Sequence, residues 1–317
     1  MERDRQADQR RIPKAGFTMK VTVAICTHNR AKDAVEAVES VLAQSFDKKE
    51  IEVLVVDNGS TDHTAEVVEG LRHRHGPRVR YAYESRLGLS VARNRAIREA
   101  AGEYLLFLDD DALASSQWAR HIVDVFERDP AIGCVGGKID PVWEIGEPDW
   151  IPEEHRSVFT ILDYANGVRE MPAPAIPYGA NVAFRMSVFR EIEPFREDLG
   201  RVGGNLLSSE ESELIARLRA KHKVYYTSYA RVRHKIAKER ATKKWFLKRM
   251  FWQGVSDAVK RRDRSLKAVL KHAARLAQAV GTSLLSVFHD RRFIRQVVKI
   301  CYRNGALVGI LRYGGRG

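Results

Sequence analysis

The chain is short of cysteine. Three thiols in 317 residues, Cys26, Cys134 and Cys301, stand far apart with no CxxC spacing. That excludes a disulfide-stapled miniprotein, argues against a zinc cluster and points to a reducing compartment. Long apolar runs are missing too. No stretch reaches about 18 uninterrupted apolar residues, so no transmembrane helix is expected. The nearest, 276–288 and 293–311, are respectively too short and interrupted by Arg295, Lys299 and Arg303. The opening MERDRQADQRRIPKAGFTMK lacks the apolar core of a secretory leader, and residues 1–19 are expected to form a disordered tail. Two phosphate-binding signatures are also absent. No GxGxxG follows the first apolar run and no Walker A sequence occurs, which disfavours a Rossmann dehydrogenase and a P-loop NTPase.

What is present is an average soluble composition, 44% hydrophobic and 30% charged. The length suits one domain of about 200–250 residues with an appendage. Charge is uneven. From Arg231 to the end there are 23 Lys and Arg against 4 Asp and Glu, a net of +19, while residues 1–230 carry a net of −6. A basic end of this kind points to an anionic partner, either nucleic acid or an acidic membrane surface.

The first half alternates apolar β-rich runs with helical periodicity. VTVAIC (21–26), IEVLVVD (51–57), RVRYAYE (78–84), EYLLFLD (103–109) and AIGCVGGKI (131–139) read as strands. Helices are expected over 31–44, 62–73, 89–101 and 115–128, with Gly102 as a C-cap. Such alternation predicts an α/β fold with a mostly parallel, doubly wound sheet. Residues 141–177 then hold six of the ten prolines, plus Trp143 and Trp150, and read as a long loop or lid. A strand at 181–184, a helix at 210–220 and short strands at 223–227 and 230–234 follow. From Thr242 the chain reads as about three basic helices.

In an open α/β sheet, ligands bind outside the carboxyl ends of the strands. Polar clusters stand at those ends: Thr27-His28-Asn29-Arg30, Asp57-Asn58-Gly59-Ser60, Glu84 and Asp109-Asp110-Asp111. The aspartate triplet is the sharpest signal. Three carboxylates after a buried strand raise one another's pKa unless something cationic joins them. A divalent ion, Mg or Mn, held by carboxylates and substrate phosphate oxygens would serve. The bland alternative is a cap and dipole cluster for the helix expected from Ser115, although one aspartate would suffice for that.

VAICTHNR, VVDNGSTD, SRLGLSVARNRAI and LLFLDDDA, in this order, resemble the donor half of a family 2 inverting glycosyltransferase with the A-type glycosyltransferase fold. YGANVAFR (178–185), LGRVGGNLLSSEESELIARL (199–218) and YARVRHK (229–235) resemble that family's acceptor-side segments. KKWFLKRMFWQGVS (243–256) resembles a helical extension of a bacterial, polysaccharide-type branch. The resemblance covers about residues 20–256.

It implies a catalytic domain over 20–238 and a basic helical region over 239–317. It also implies transfer from a nucleoside diphosphate sugar, UDP-linked, to a hydroxyl of a saccharide or lipid-linked acceptor. Thr27, Asn29 and Asp57 fall on the donor side, with Asp57 accepting from a ring N–H of the base and His28 beside it. Arg93 approaches the diphosphate or braces the triplet, and Asp110 lies near the ribose. Asp109 and Asp111 form the Asp-x-Asp element, with Asp111, Asp109 and His234 as metal ligands. Gly179, Ala180 and Asn181 lie near the sugar or acceptor. Glu211 takes the position of the catalytic base, with Glu210 as its rival. Cys26 reads as a small buried side chain, not a nucleophile.

Two other readings compete. A nucleotidyltransferase could use carboxylates and a metal, but would want a glycine- and lysine-rich triphosphate loop that the sequence lacks. A nucleic-acid-binding protein could use Trp245, Phe246, Phe251 and Trp252 interleaved with Lys248 and Arg249, although their helical spacing suits a stripe facing a core or a membrane at least as well; nucleic acid is the less well supported partner. The same aromatics beside cations suit an amphipathic contact with the inner, cytoplasmic face of an anionic membrane.

Overall fold

The structure, a computed structural model, describes residues 19–284 and 290–313. The expected tail, apart from Met19, lies outside the described residues, as do residues 285–288 of the apolar run 276–288. The described residues fall into two compact units. One holds the chain up to Asp140 with Leu162–Phe195 and Leu214–His234. The other holds Pro141–Ile161, Arg196–Glu213 and the chain from Lys235 onward.

The first unit begins with β1 (Met19–Thr27), α1 (Ala31–Leu42), β2 (Ile51–Asp57), α2 (Thr64–His75), β3 (Val79–Tyr83), α3 (Leu89–Glu99) and β4 (Gly102–Phe107). The apolar run of β2 is buried throughout, as a strand covered on both faces requires. These four strands are parallel in the order β3-β2-β1-β4. The parallel part expected from the alternation is this half.

The remainder joins antiparallel. It comprises β5 (Ala112–Ala114), α4 (Trp118–Phe126), β6 (Ile132–Trp143), β7 (Val168–Glu170), β8 (Val182–Arg185), α5 (Glu210–Leu218), whose residues up to Glu213 fall in the second unit, and β9 (Lys223–Ile236). The sheet runs β3-β2-β1-β4-β8-β6-β9-β5, with β7 on β9. The two short strands expected at 223–227 and 230–234 form one, because β9 pairs with β7 along its first part and β5 along its second.

Two local expectations change for identifiable reasons. The helix expected from Ser115 starts at Trp118, because Ala112–Ala114 are drawn into a strand with β9. The aspartate triplet therefore caps no helix; the N-cap is Gln117. Gly102 is not a C-cap. It opens β4, where a Cβ would collide with the backbone nitrogen of Thr22 on β1.

The second unit adds α6 (Lys243–Arg261), α7 (Leu266–Leu284) and α8 (Asp290–Val308), then a π-helical turn at Gly309–Tyr313. The Thr242 hydroxyl accepts from the Trp245 N–H at 3.2 Å and caps α6. Phe246 is buried, stacked on Phe159 and edge-on to Trp150. Phe251 and Trp252 pack on Leu199, Leu207, Val255 and Val259. The aromatics expected to meet a membrane or nucleic acid are thus built into cores, because their spacing turns them inward on α6. Leu266, Leu270 and Val280 on α7, Phe293 on α8 and Leu311 beyond it remain exposed, as do Val142, Ile145 and Val202 elsewhere in this unit. Where α6 and α8 cross, Gly254 faces the Tyr302 carbonyl and Gly305 faces the Phe251 carbonyl, with no room for a Cβ at either. No described helix is long and apolar enough to cross a membrane.

Candidate active site

Parallel pairing of β1 with β2 sets Thr27 beside Asp57, and pairing with β4 aligns the end of β1 with the strand that leads into the aspartates. Asp57 is buried. Its Oδ2 accepts from the Tyr81 hydroxyl at 2.8 Å and its Oδ1 from the Ser60 N–H at 2.8 Å. Asn29 takes a left-handed φ of 54°, which asparagine tolerates. Its Oδ1 accepts from the Thr61 N–H at 2.7 Å and ties the β1 loop to the β2 loop. Asn58 ties the β2 end to the next loop, donating to the Arg86 carbonyl at 2.7 Å and accepting from the Gly88 N–H at 2.8 Å. The four strand-end clusters are one connected network.

The triplet divides its labour. Asp110 accepts from the Thr27 hydroxyl at 2.8 Å and meets Arg30 Nη1 at 3.2 Å. Burial pushes its carboxyl up to about 7; Arg30 opposes that shift and Asp111 adds to it. Asp111 presents one oxygen to Arg30 at 2.7 Å and the other to His234 Nε2 at 3.2 Å. The β5–β9 register, which pairs Ala112 with His234, delivers the imidazole there. Asp109 is the most open of the three, with its side chain 34% exposed. Arg93 reaches it at 3.5 Å. The Arg93 guanidinium is buried between the rings of Phe107 and Phe195, 5.7 and 5.6 Å from their centroids. Arg93 thus meets the triplet at Asp109.

A carboxylate oxygen each from Asp109 and Asp111 and a nitrogen of His234 lie within 4.8 Å of one another. Two hard oxygens and an imidazole on a partly open rim fit a divalent ion that keeps positions for substrate oxygens. The buried His234 Nδ1 has no hydrogen-bond partner among the described residues. Burial pushes the Cys26 thiol up to about 12, which removes it as a nucleophile.

Gly179, Ala180 and Asn181 form a buried turn leading into β8. The Asn181 amide serves the fold. Its Oδ1 accepts from Trp118 Nε1 at 2.8 Å, and its Nδ2 donates to the Lys138 and Ala230 carbonyls at 3.0 and 2.9 Å. Glu210 and Glu211 open α5 and belong to the second unit, Glu210 buried and Glu211 half-buried. Ser209 before them has a φ of 78°. Within that unit Arg249 donates to the Ser208 hydroxyl at 3.1 Å. Burial pulls its guanidinium down to about 10, with Arg201 adding to the shift and both glutamates opposing it.

Two contributors carried no role in the sequence reading, Arg30 and Tyr81. The signal for Arg30 was available: a cation one loop beyond β1, with three carboxylates ending the neighbouring strand. Tyr81 had none beyond its place in an alternating strand.

Comparison with known proteins gives a consistent picture. The family description "Glycosyl transferase family 2" matches residues 22–193. A glucosyl-dolichyl phosphate glucuronosyltransferase of Haloferax volcanii is 31% identical over 245 residues, 76% of this chain and 77% of that protein. The chain spans only 15% and 36% of the length of two further curated relatives. Among solved structures, a mannosyltransferase of Pyrobaculum calidifontis in complex with GDP-Man and Mn2+ superposes with a TM-score of 0.62 at 18% identity, covering 98% of this chain and 93% of that one. Residues 1–349 of S. aureus TarS in complex with UDP give a TM-score of 0.54 at 19% identity, over 92% and 91% of the two chains. At these identities the superpositions establish a shared fold, with its central sheet flanked by helices.

Proposed function

Because the chain belongs to glycosyl transferase family 2, we propose that it moves a sugar from a UDP-linked donor to a hydroxyl of a saccharide or lipid-linked acceptor, with inversion at the anomeric carbon. The observation that carries this reading is the convergence of Asp109, Asp111 and His234 beside Thr27, Arg30 and Arg93. Thr27 and Asp57 address the nucleoside, and the fixed Asp57 carboxylate suits a ring N–H. Asp109, Asp111 and His234 hold a divalent ion, Mg or Mn, which when bound supplies positive charge to the departing diphosphate. Arg30 and Arg93 keep the carboxylates in place. Glu211, with Glu210 as its rival, takes the proton from the acceptor hydroxyl as its oxygen bonds to the anomeric carbon. The bond from that carbon to the diphosphate breaks on the opposite face, and the nucleotide carries off the electron pair. No covalent sugar–enzyme intermediate forms.

The family relative whose name specifies a dolichyl phosphate carrier supports a lipid-linked acceptor. A location on the cytoplasmic face of an anionic membrane agrees with the net +19 of the final 87 residues and with exposed Leu266, Leu270 and Val280 on α7. The test is a panel of UDP- and GDP-sugars with Mg or Mn, following nucleotide release and its suppression by chelator. Release from no donor, or release unchanged by chelator, sinks the reading.

A further inference from the structure

The hairpin of α7 and α8 holds a cleft of about 290 Å³. Arg275 from α7 and Lys299 and Arg303 from α8 line it, with Gln278, Thr282 and Gln296 between them. Among the described residues, none of these three cations forms an ion pair with a carboxylate. Elsewhere on α8 the chain does provide one, since Arg295 meets Glu154 at 2.8 Å. The cations also disturb their neighbours. His272 is buried with Nδ1 unpartnered, and it is held below the usual histidine range by burial, then by Arg303, Arg261, Arg275 and Lys271. Arg303 is itself depressed by burial and by Arg275.

Like charges gathered in a concavity focus a positive field that an anion relieves. Two guanidinium forks and an ammonium match the oxygens of a phosphate better than a single carboxylate. The volume narrows the choice. It sits at the low end of ligand pockets, which run from about 300 Å³ upward, so it suits a phosphate or diphosphate and not a whole nucleotide sugar. We propose that the α7–α8 cleft binds a phosphate-bearing group, a phosphomonoester or a diphosphate, through Arg275, Lys299 and Arg303. The group comes either from a soluble phosphate compound or from the headgroup of a lipid.

Calorimetric titration of the full chain with inorganic pyrophosphate, in chelator and without nucleotide, reads the site independently of donor chemistry. Saturable binding weakened at least about tenfold in the Arg275→Gln/Arg303→Gln variant is the expected result, since each lost contact is charge-assisted. Any pyrophosphate held at the aspartate site contributes equally to both proteins. The exposed Lys299→Gln is a single-site companion that leaves the fold undisturbed and shows the same loss to a smaller degree. Co-sedimentation with phosphatidylcholine vesicles containing phosphatidic acid, or phosphatidylserine at matched surface charge, separates the sources. A preference for phosphatidic acid that disappears in the variant identifies a lipid headgroup. Pyrophosphate binding without that preference identifies a soluble ligand. Equal pyrophosphate affinity in wild type, Lys299→Gln and any folded double variant overturns the proposal.

Discussion

In the first unit three consecutive carboxylates end an apolar strand, and the fold supplies Arg30, Arg93 and His234 to meet them. In the second, Arg275, Lys299 and Arg303 gather in one cleft and meet no carboxylate among the described residues. The cores differ in the same sense. One continuous cluster follows the sheet from Val21 to Val232, whereas the helical unit rests on two smaller clusters built around Phe246 and Val255. Where a large core fixes the backbone, opposite charges can be set at bonding distance and still leave an open rim for substrate. Where it is small, uncompensated charge is kept at the surface, and relief comes from a ligand.

The sharpest way to break this contrast is at Asp111. Asp111→Ala removes the oxygens that meet both Arg30 and His234, and transfer is expected to fall by about 10³-fold or more, with several kcal/mol of leaving-group stabilisation lost. An unchanged thermal midpoint would accompany it, and turnover near wild type would refute the metal assignment. Next comes the carboxylate of the helical unit. Glu211→Gln should keep donor binding and lower kcat by about 10², with Glu210→Gln milder; the reverse order would move the base to Glu210. Smaller again is Arg93→Lys, which keeps the charge but loses the planar group between Phe107 and Phe195. We expect a loss of about tenfold in kcat/KM, in keeping with exchange of a stacked arginine, and full activity would show that Asp109 needs no brace. The smallest effect on chemistry is Gly305→Ala. Its added methyl strikes the Phe251 carbonyl, so the helical unit should lose about 1–3 kcal/mol. A melting curve reads that loss, and an undisturbed curve would mean that the helices part without cost.

The parallel half of the sheet was readable because period and composition agree there: apolar β-branched runs alternate with helices of suitable length. The strand-end clusters were readable because topology brings such ends together. Arg30 went unassigned because its partners lie 80 and 81 residues away, a distance that only β1–β4 pairing closes. Strand β5 went unread because three residues, Ala112–Ala114, carry no periodicity of their own. They are strand only because β9 runs alongside, and that pairing also brings His234 to Asp111. The side that Phe246 faces stayed open in the sequence, because an aromatic among lysines looks the same there whether it meets a membrane or a core; the structure buries it.

The glycine crossing of α6 and α8 has a bearing on motion. Backbones in such close approach, tied also by the Tyr302 hydroxyl donating to Asp257 at 2.6 Å, must open together. Helix α7 has no such seam and leaves Leu266 and Leu270 72% and 60% exposed. Native-state hydrogen exchange should therefore resolve two tiers. Amides of α7 should open at low free energy, while those of α6 and α8 exchange with a common, higher one. The wall of the cleft that carries Arg275 can then swing away without unfolding the helices that hold the unit together.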